Sequence, residues 1–412
     1  MAALKHYYLG MAISHAGTGW MKQLFTIGRR RDEAALERYL AKKYGGEAIL
    51  CKNGRSALCL ALKAYFDKGD AVIVNGFTCH AVIEAVKEAG LKPVFADISK
   101  DDLNFTAESL QKVLKKSRSS HAESHATDSV GSSKTSDNST EGTGTAVEAT
   151  SGTPPKVPKN LHIRGIIVQN TLGNPADIKI VKKIAKQYNL VIIEDLAHCA
   201  GVRYDKRYEV GTVGVACALS FGKDKSIDTV AGGAVVLRDP CKHEIKAPSK
   251  KPKPSDHLRA RFYPLFGALS RVLTHVGLGG GLMRILVKIH WVERSADSKL
   301  DLMRRPSRFE ARLALGQFQE LRRTGEPPLR DFYFVKDRAE LLKKLQRKGY
   351  YFGGFWYEKP ISPARYYQKV HFPEEECPNA VWVAEHIINM PNYYTRHDLV
   401  PARKIIKEYL EE

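Results

Sequence analysis

Short, uninterrupted apolar runs alternate with amphipathic stretches through the first half of the chain, and this alternation is what most restricts the fold. The runs are AILC, AVIVN, KPVFA, IRGIIV and LVII. Strands of a parallel sheet are buried on both faces, so they carry continuous apolar residues rather than alternating ones. With helical segments between them, the runs predict an α/β fold whose sheet is mainly parallel and covered on both faces.

The last of these runs ends in two carboxylates. LVIIEDLAH places Glu194 and Asp195 at the carboxyl end of a predicted strand, and His198 follows closely. In open α/β sheets this edge is where ligands bind. The sequence therefore predicts a functional site that contains Asp195 and His198.

A later polar turn holds two lysines between apolar runs. CALSF precedes the turn, Lys223 and Lys225 lie within it, and Gly232, Gly233 and the run AVVL follow. Glycines allow close backbone approach, and a lysine on such a turn is suited to covalent catalysis. Most lysines are simply solvated, so a covalent role for a lysine of this turn needs support from the other motifs of the chain.

A third stretch, AILCKNGRSALCLALKAY (48–65), reads as strand, turn and amphipathic helix. Its turn contains Gly54, Arg55 and Ser56. The N-terminus of a helix offers free backbone N–H groups and the positive end of the helix dipole, which suit a phosphate. A phosphate cradle, a buried carboxylate and a lysine together meet the needs of pyridoxal 5'-phosphate.

The three stretches resemble motifs of the DegT/DnrJ/StrS family of sugar aminotransferases, and the resemblance runs with interruptions from about Leu36 to the C-terminus. The lysine motif S-F-x-x-x-K-x-[IL]-x-x-x-x-G-G is met by Ser220, Phe221, Lys225, Ile227, Gly232 and Gly233. The motif E-D-x-A-[QH] is met by Glu194, Asp195, Ala197 and His198, and G-[TR]-[AS]-A-L by Gly54, Arg55, Ser56, Ala57 and Leu58. The order and spacing of the three motifs make the match specific.

The resemblance implies a fold type I pyridoxal phosphate enzyme with a seven-stranded, mainly parallel sheet and a smaller α+β C-terminal domain. It implies a homodimer that aminates a nucleotide-linked keto-sugar, with glutamate as donor, for surface polysaccharide or glycan synthesis. Lys225 would hold the cofactor covalently and move protons, and Asp195 would keep the pyridine nitrogen protonated. His198 would lie beside the phenolic oxygen of the ring. The phosphate would be held by Gly54, Arg55, Ser56 and Ser220.

The chain departs from the family pattern at three positions. In the predicted helix 77–90, Cys79 stands where the family has an aromatic residue stacked on the cofactor, so Cys79, His80 or Phe77 is left to take that place. Asn170 stands where the motif H-x-x-G-x-P-A-D has its histidine, and is expected to contact the cofactor. The family's Asn-x-Arg motif, which reaches the partner subunit's phosphate, is absent; Arg304 and Arg305 lie near its place.

Changes in composition divide the chain into segments. We expect an N-terminal arm (1–35), a large cofactor-binding domain (36–240), an inserted segment (241–300) and a small C-terminal domain (301–412). Within the large domain, a helix is predicted at 107–116, and residues 117–158 contain no Leu, Ile, Phe, Tyr, Trp or Met. Such a segment buries too little apolar surface to offset its ordering entropy, so it is predicted to be a disordered loop.

The inserted segment is basic and apolar at the same time. Residues 241–294 hold 11 Lys and Arg against 3 Asp and Glu, and residues 261–292 carry apolar side chains at helical spacing. One interpretation is two amphipathic helices that lie in an anionic membrane interface. The other is that both helices pack against the body of the protein or across a dimer interface.

The remaining composition excludes several classes of protein. The seven cysteines show no C-x-x-C pairing, so neither a disulfide framework nor a zinc site is predicted. Signal-peptide and membrane-spanning patterns are missing, which favours a cytoplasmic protein. The net charge of +20 calls for an anionic partner, although no nucleic-acid-binding motif accompanies it.

Two other functions remain open at this stage. Sugar dehydratases on the same scaffold replace the Schiff-base lysine with histidine, and Lys225 argues against that group. The other is a non-catalytic, basic protein that uses a retired enzyme scaffold to bind a membrane surface or nucleic acid, although its basic residues are not interleaved with a known nucleic-acid motif.

Overall fold

The computed structural model describes residues 7–9, 21, 24–127, 161–238, 240–274, 276, 278–324, 330–352, 356–391 and 396–411. Most of the predicted N-terminal arm and residues 128–158 of the predicted disordered loop lie outside the described residues.

The strands are, in chain order, β1 (Tyr7–Leu9), β2 (Glu47–Cys51), β3 (Ala71–Asn75), β4 (Thr78–Cys79), β5 (Lys92–Ala96), β6 (Ile163–Val168), β7 (Val191–Asp195), β8 (Ala216–Ser220), β9 (Gly233–Leu237), β10 (Arg330–Phe334), β11 (Tyr350–Phe352), β12 (Ile361–Ser362) and β13 (Ile387–Pro391). The α-helices are α1 (Arg30–Tyr44), α2 (Gly54–Tyr65), α3 (His80–Glu88), α4 (Ala107–Thr127), α5 (Ile178–Tyr188), α6 (Pro254–Thr274), α7 (Gly279–Lys288), α8 (Arg308–Thr324), α9 (Arg338–Arg347), α10 (Ala364–Tyr367), α11 (Pro378–His386) and α12 (Arg396–Lys407).

Seven strands form the central sheet, in the order β2-β9-β8-β7-β6-β3-β5. Strand β9 runs antiparallel to β2 and β8, and the other neighbouring pairs are parallel. Every residue of β3, AVIVN, is buried, as expected for a strand covered on both faces. The predicted α/β fold with a seven-stranded, mainly parallel sheet is thereby confirmed.

Two local predictions need correction. Helix α4 continues to Thr127, so the predicted disordered loop does not begin at Ser117. The stretch SRSSHAESHAT lacks apolar anchors, but its Arg, Ala and Glu residues favour a helix, and helix formation does not require burial of every turn. The predicted helix 77–90 begins only at His80, because Thr78 and Cys79 pair with the distant strand β12.

The described residues between 330 and 411 contain both strands and helices, and we refer to them as the C-terminal unit. Strands β10 and β13 pair antiparallel. Helices α9 and α12 contribute buried side chains to the same cluster, among them Leu341, Leu345 and Ile406. Strand β12 of this unit pairs with β4, which follows the end of the central strand β3 in the chain, and this contact brings C-terminal side chains to the ends of the central strands.

Helices α6 and α7 of the inserted segment pack on the body of the protein by one face only. Tyr263, Met283 and Leu286 are buried in a cluster with Phe309 of α8. The apolar residues that remain exposed on these helices and directly after them, which we call the outer stripe, are Leu269, Val272, Val276, Ile285 and Ile289, with exposed fractions between 45% and 68%. Among the described residues, no helix has the length and apolar character needed to span a bilayer.

Candidate active site

The carboxylates at the end of β7 point in opposite directions, as neighbouring strand residues must. Glu194 accepts hydrogen bonds from the backbone N–H groups of Gly211 (2.7 Å), Val213 (2.8 Å) and Gly214 (2.6 Å). Asp195 points to the other face, where Oδ1 accepts a hydrogen bond from the N–H of Ala197 at 2.9 Å. Burial raises the pKa of Asp195 above its usual value, while the Ala197 N–H and the nearby Lys225 act in the opposite direction. Glu194 is therefore a structural residue, and Asp195 faces the site.

His198 is a buried, neutral imidazole with a defined tautomer. Its Nδ1 accepts a hydrogen bond from the N–H of Leu172 at 3.2 Å. Burial lowers the pKa of His198 well below its usual value, and the positive charges of Lys225 and Arg330 lower it further. A neutral ring that accepts at Nδ1 carries its proton at Nε2. His198 can therefore donate a hydrogen bond from Nε2.

The two lysines of the polar turn point to different places. The ammonium group of Lys223 contacts the carbonyl oxygen of Glu293 and lies 4.4 Å from the centre of the Tyr263 ring, so it faces the inserted segment. The Nζ atom of Lys225 lies 4.6 Å from the centre of the Trp356 ring. Burial lowers the pKa of Lys225, and the nearby Cys79 and Asp195 act in the opposite direction. Of the two, Lys225 is the lysine near Asp195 and His198.

The predicted phosphate turn lies against Ser220. A Cβ atom at Gly54 would come within 2.5 Å of the Ser220 Cβ, so only glycine allows this approach. Asn53 caps α2 by accepting a hydrogen bond from the N–H of Ser56 at 2.9 Å. The N-terminus of α2 and the Ser220 hydroxyl are thus brought together as the sequence predicts.

A short segment that follows the inserted helices lies across this turn. The Arg55 guanidinium donates to the carbonyl oxygen of Ser298 (2.5 Å) and pairs with Glu84 (2.5 Å). The Ser56 hydroxyl accepts a hydrogen bond from the N–H of Asp301 at 3.0 Å. The side chains of Arg55 and Ser56 therefore already bind protein groups, and the α2 N-terminus together with Ser220 is the better placed part of the cradle.

The three candidates for the missing stacking residue lie in different surroundings. His80 stacks on Tyr366 with the ring centres 4.2 Å apart, and burial, followed by the charge of Arg55, lowers the pKa of His80 to about 4. Phe77 is fully buried against Tyr357, 4.4 Å between ring centres. Cys79 is the candidate that lies near Lys225.

Asn170 belongs to a different hydrogen-bond network. Its Nδ2 donates to the Tyr204 hydroxyl at 3.1 Å, and its Oδ1 accepts from the N–H of Ala176 at 2.9 Å. The Tyr204 hydroxyl in turn donates to Glu194 at 3.0 Å. The amide of Asn170 thus supports the Glu194 side of the sheet, and its predicted contact with a cofactor remains a prediction.

Three residues of the C-terminal unit reach the site without having been predicted. Trp356 stacks on His198 with the ring centres 5.1 Å apart. Arg330, 1% exposed, places its guanidinium carbon 4.6 Å from the same Trp356 ring. Tyr357 is buried, with a positive φ of 70°. The aromatic run GYYFGGFWY is the sequence signal that marks two of them, but its apolar character alone also fits a core strand.

These residues fit pyridoxal phosphate by their chemistry. The amine of Lys225, the carboxylate of Asp195 and the Nε2–H of His198 are the groups that an aldehyde, a pyridine nitrogen and a phenolic oxygen require. The approach of Gly54 to Ser220 leaves the α2 N-terminus facing the side where a phosphate would bind. Within the described part of the chain, no cluster of His, Cys, Asp and Glu suits a metal ion.

Comparisons with known proteins agree with this geometry. A structure of a DegT/DnrJ/EryC1/StrS aminotransferase from Brucella abortus superposes with a TM-score of 0.59 at 19% identity, covering 97% of this chain and 95% of that one. GDP-perosamine synthase of Escherichia coli O157:H7 is 28% identical over 194 residues, 47% of this chain and 40% of that protein. A pleiotropic regulatory protein of Geobacillus stearothermophilus is 28% identical over 235 residues, 55% of this chain and 49% of that protein. The chain thus matches half or less of the length of these two curated relatives.

The sequence profile of one family covers the part of the chain that contains the site. It matches residues 18–125 and 151–249, which include the phosphate turn, Asp195, His198 and Lys225. The chain belongs to the DegT/DnrJ/EryC1/StrS aminotransferase family.

Proposed function

We propose that this protein is a pyridoxal 5'-phosphate-dependent aminotransferase that converts a nucleotide-linked keto-sugar into an amino-sugar, with glutamate as the amino donor. The observation that carries the proposal is the burial of Lys225 beside Asp195 and His198 at the carboxyl end of the central strands. The name of the relative GDP-perosamine synthase supports the nucleotide-linked substrate class. Synthesis of a surface polysaccharide or glycan is the corresponding pathway.

The site residues divide the tasks of the reaction among them in this proposal, and Lys225 would both hold the cofactor covalently and move a proton. Bound pyridoxal phosphate supplies an electron sink for the charge that develops at the α-carbon of the donor. Lys225, whose pKa is lowered by burial, takes the proton from that carbon with its neutral Nζ. Asp195, as a carboxylate, stabilises a proton on the ring nitrogen, and His198 donates from Nε2 to the phenolic oxygen. Ser220 and the N-terminus of α2 bind the phosphate.

The active species in this proposal is a homodimer, as the family resemblance implies. Because the Asn-x-Arg motif is absent, another group would have to contact the phosphate bound in the partner subunit. Arg304 and Arg305 lie nearest to the position of that motif in the sequence. In the described structure these arginines bind within their own chain, Arg304 to Asp301 and Arg305 to Glu37. Light scattering of the purified protein tests the dimer: twice the chain mass supports it, and a monomer contradicts it.

Amine transfer is the reaction to measure. The purified protein, loaded with pyridoxal phosphate, is incubated with glutamate and a panel of keto-sugar nucleotides, and the products are analysed by mass spectrometry. We expect one amino-sugar nucleotide and an equal amount of 2-oxoglutarate. Loss of water from a sugar without amine transfer would instead identify a dehydratase. Protein that binds no cofactor would support the non-catalytic alternative.

We also propose that the outer stripe of α6 and α7 contacts an anionic membrane at the cytoplasmic face. The inner faces of both helices pack on the protein, whereas Val276, Ile285 and Ile289 remain 68%, 59% and 54% exposed. Arg284 and Lys288, on α7, are exposed beside them. Apolar side chains with basic neighbours match the interior and the headgroups of an anionic bilayer.

Liposome co-sedimentation distinguishes membrane binding by the outer stripe from burial of the stripe in a dimer interface. We expect the protein to pellet with anionic vesicles at low salt and to remain in solution with neutral vesicles. An Arg284→Glu/Lys288→Glu variant should pellet less, because each basic residue near the surface contributes about 1 kcal/mol. If the protein stays in the supernatant with anionic vesicles at low salt, the stripe is covered by another protein chain and the membrane proposal is wrong.

A further inference from the structure

A concave, basic surface lies between helix α5 and the loop that joins β7 to β8, and we call it the basic cleft. Its volume is about 630 Å³, within the range of about 300–1,000 Å³ that small-molecule sites occupy. Four cations and one carboxylate give it a net charge of +3. The residues that line it come from both walls: Lys179, Lys182, Asp205, Lys206, Arg207 and Tyr208.

The basic cleft lies on the side of the central sheet that Asp195 does not face. Val181 of α5 packs in one cluster with Ile192 of β7. Ile192 lies on the same face of the strand as Glu194, because side chains alternate along a strand. Tyr204, just before the cleft residues of the loop, donates to Glu194 at 3.0 Å. A ligand in the basic cleft would therefore leave the candidate active site open.

The loop wall of the cleft is held in one conformation by its own hydrogen bonds. The Arg203 guanidinium donates to the carbonyl oxygens of Asp205 (3.1 Å) and Lys206 (2.8 Å). Oδ1 of Asp205 accepts from the N–H groups of Arg207 (2.7 Å) and Tyr208 (2.8 Å). These backbone hydrogen bonds lower the pKa of Asp205. The single carboxylate of the cleft is thus used to shape the loop, which is how a binding wall is preorganised.

The cations of the cleft are gathered on both walls around Tyr208. The Nζ atom of Lys182 donates to the Tyr208 hydroxyl at 3.1 Å, and the guanidinium carbon of Arg207 lies 5.2 Å from the centre of the same ring. In the described part of the chain, Lys179, Lys206 and Arg207 form no ion pair with a carboxylate. Positive charges that share a cleft repel one another, and a bound anion with several negative charges would replace this repulsion with attraction.

The shape and the charge of the cleft together indicate the class of its ligand. A concavity of this size encloses a small molecule, and three net positive charges match an anion with more than one negative charge. Lysine binds phosphate as a point charge, and arginine binds it through two parallel hydrogen bonds. We propose that the basic cleft binds the diphosphate or triphosphate group of a small molecule, at a site separate from the candidate active site. Inorganic polyphosphate and a nucleotide share this chemistry.

Sodium tripolyphosphate is the first probe of the cleft. Its affinity is measured by calorimetry at low salt, with pyridoxal phosphate present so that it does not report the phosphate turn of α2. Lys179→Gln/Lys206→Gln removes one cation from each wall, and Lys182→Gln removes a third. Lys183→Gln/Lys186→Gln is the matched control, because these lysines are exposed on α5, lie outside the cleft and carry the same charge. The melting temperature of each variant is recorded.

We expect the wild type to bind one tripolyphosphate and Lys179→Gln/Lys206→Gln to bind it about tenfold or more weakly. Lys182→Gln should lose a smaller factor, and the control about twofold or less. A wild type that binds no tripolyphosphate overturns the site, and so does an equal loss in the control, which would reflect net charge alone. If Lys179→Gln/Lys206→Gln fails to fold, wild-type affinity in Lys182→Gln overturns it.

Pyrophosphate and uridine diphosphate then distinguish the two sources of the ligand. Equal affinities for both, each reduced in Lys179→Gln/Lys206→Gln, identify the diphosphate group alone as the part that is recognised. Tighter binding of uridine diphosphate, with the same loss in the variant, identifies a nucleotide. If neither anion loses affinity in the variant, both bind elsewhere and the basic cleft is not their site.

Discussion

At the scale of single residues, Asp195 is a carboxylate buried in a place that favours its neutral form. The residue is 8% exposed, and burial raises the pKa of its carboxyl group. A positive charge bound against it would lower that pKa again and keep the carboxylate ionised. A protonated pyridine nitrogen is such a charge. The environment of Asp195 is therefore suited to such a cofactor, in which the carboxylate and the ring nitrogen would stabilise each other's charged forms.

Replacing Asp195 tests this role. Asp195→Asn should retain bound pyridoxal phosphate, because Lys225, Ser220 and the α2 N-terminus are unchanged. Turnover should fall by roughly 10²-fold or more, since an amide cannot stabilise a protonated ring nitrogen. The measurement is kcat with glutamate, recorded together with the visible absorbance, and Asp331→Asn serves as the control. Full turnover in Asp195→Asn would assign the task to another group.

The sequence identifies the groups of the site that lie on local motifs, and misses those that arrive from far along the chain. Gly54, Asp195, His198 and Lys225 each follow an apolar run, so their place at the strand ends could be predicted. Trp356 belongs to the C-terminal unit, which reaches the site where β12 pairs with β4. That pairing is a long-range contact between two-residue strands, and no local periodicity encodes it.

At the scale of elements, helix α8 begins with a capping box that contains a buried carboxyl group. The N–H of Ser307 donates to Glu310 Oε2 at 2.5 Å, and the N–H of Glu310 donates to Ser307 Oγ at 3.4 Å. Burial raises the pKa of Glu310 from 4.5 to about 7. The folded state therefore favours protonated Glu310. The contribution of Glu310 to the free energy of unfolding is fully present below pH 4.5 and is lost as the pH rises through about 7.

A glutamine at this position should remove the pH dependence. Glu310→Gln keeps an oxygen that accepts from the N–H of Ser307 and carries no charge at any pH. We expect the melting temperature of the variant, relative to wild type, to rise between about pH 5 and pH 8. Glu340→Gln, at an exposed position in the first turn of α9, should show no such trend. If the difference in melting temperature between Glu310→Gln and wild type is constant across this pH range, the raised pKa of Glu310 is contradicted.

The end of α4 and the segment that follows it should be dispensable for the fold. The Ser117 hydroxyl donates to the carbonyl oxygen of Leu161 at 2.7 Å, so the chain on either side of the segment is already held together. Deleting residues 118–153 removes the last ten residues of α4 and shortens the connection to β6, and the length of a connection has only a small effect on stability. We expect the melting temperature to stay within about 3 °C of wild type and amine transfer to be retained. A larger fall would mean that the segment packs on the body of the protein.

At the scale of the whole molecule, the apolar runs predict the type of sheet. They do not predict the strand order or which surfaces of the helices are covered by other parts of the protein. The antiparallel placement of β9 between β2 and β8 depends on contacts across the sheet. The exposure of the outer stripe likewise depends on which face of α6 and α7 meets Phe309 and its neighbours. Periodicity alone gives the width of an apolar stripe and cannot say what covers it. The net charge of +20 calls for an anionic partner, and an anionic membrane is the partner that we propose.

The central claim is that Lys225 binds the cofactor covalently, and the position of that bond can be measured directly. Borohydride reduction of the cofactor-loaded protein fixes the label on the lysine, and peptide mapping by mass spectrometry locates it. We predict a label on Lys225 that is absent in Lys225→Ala and retained in Lys223→Ala, because the Lys223 ammonium group faces Glu293 and Tyr263 instead of Asp195. A label on Lys223, or no labelled lysine at all, would contradict the account.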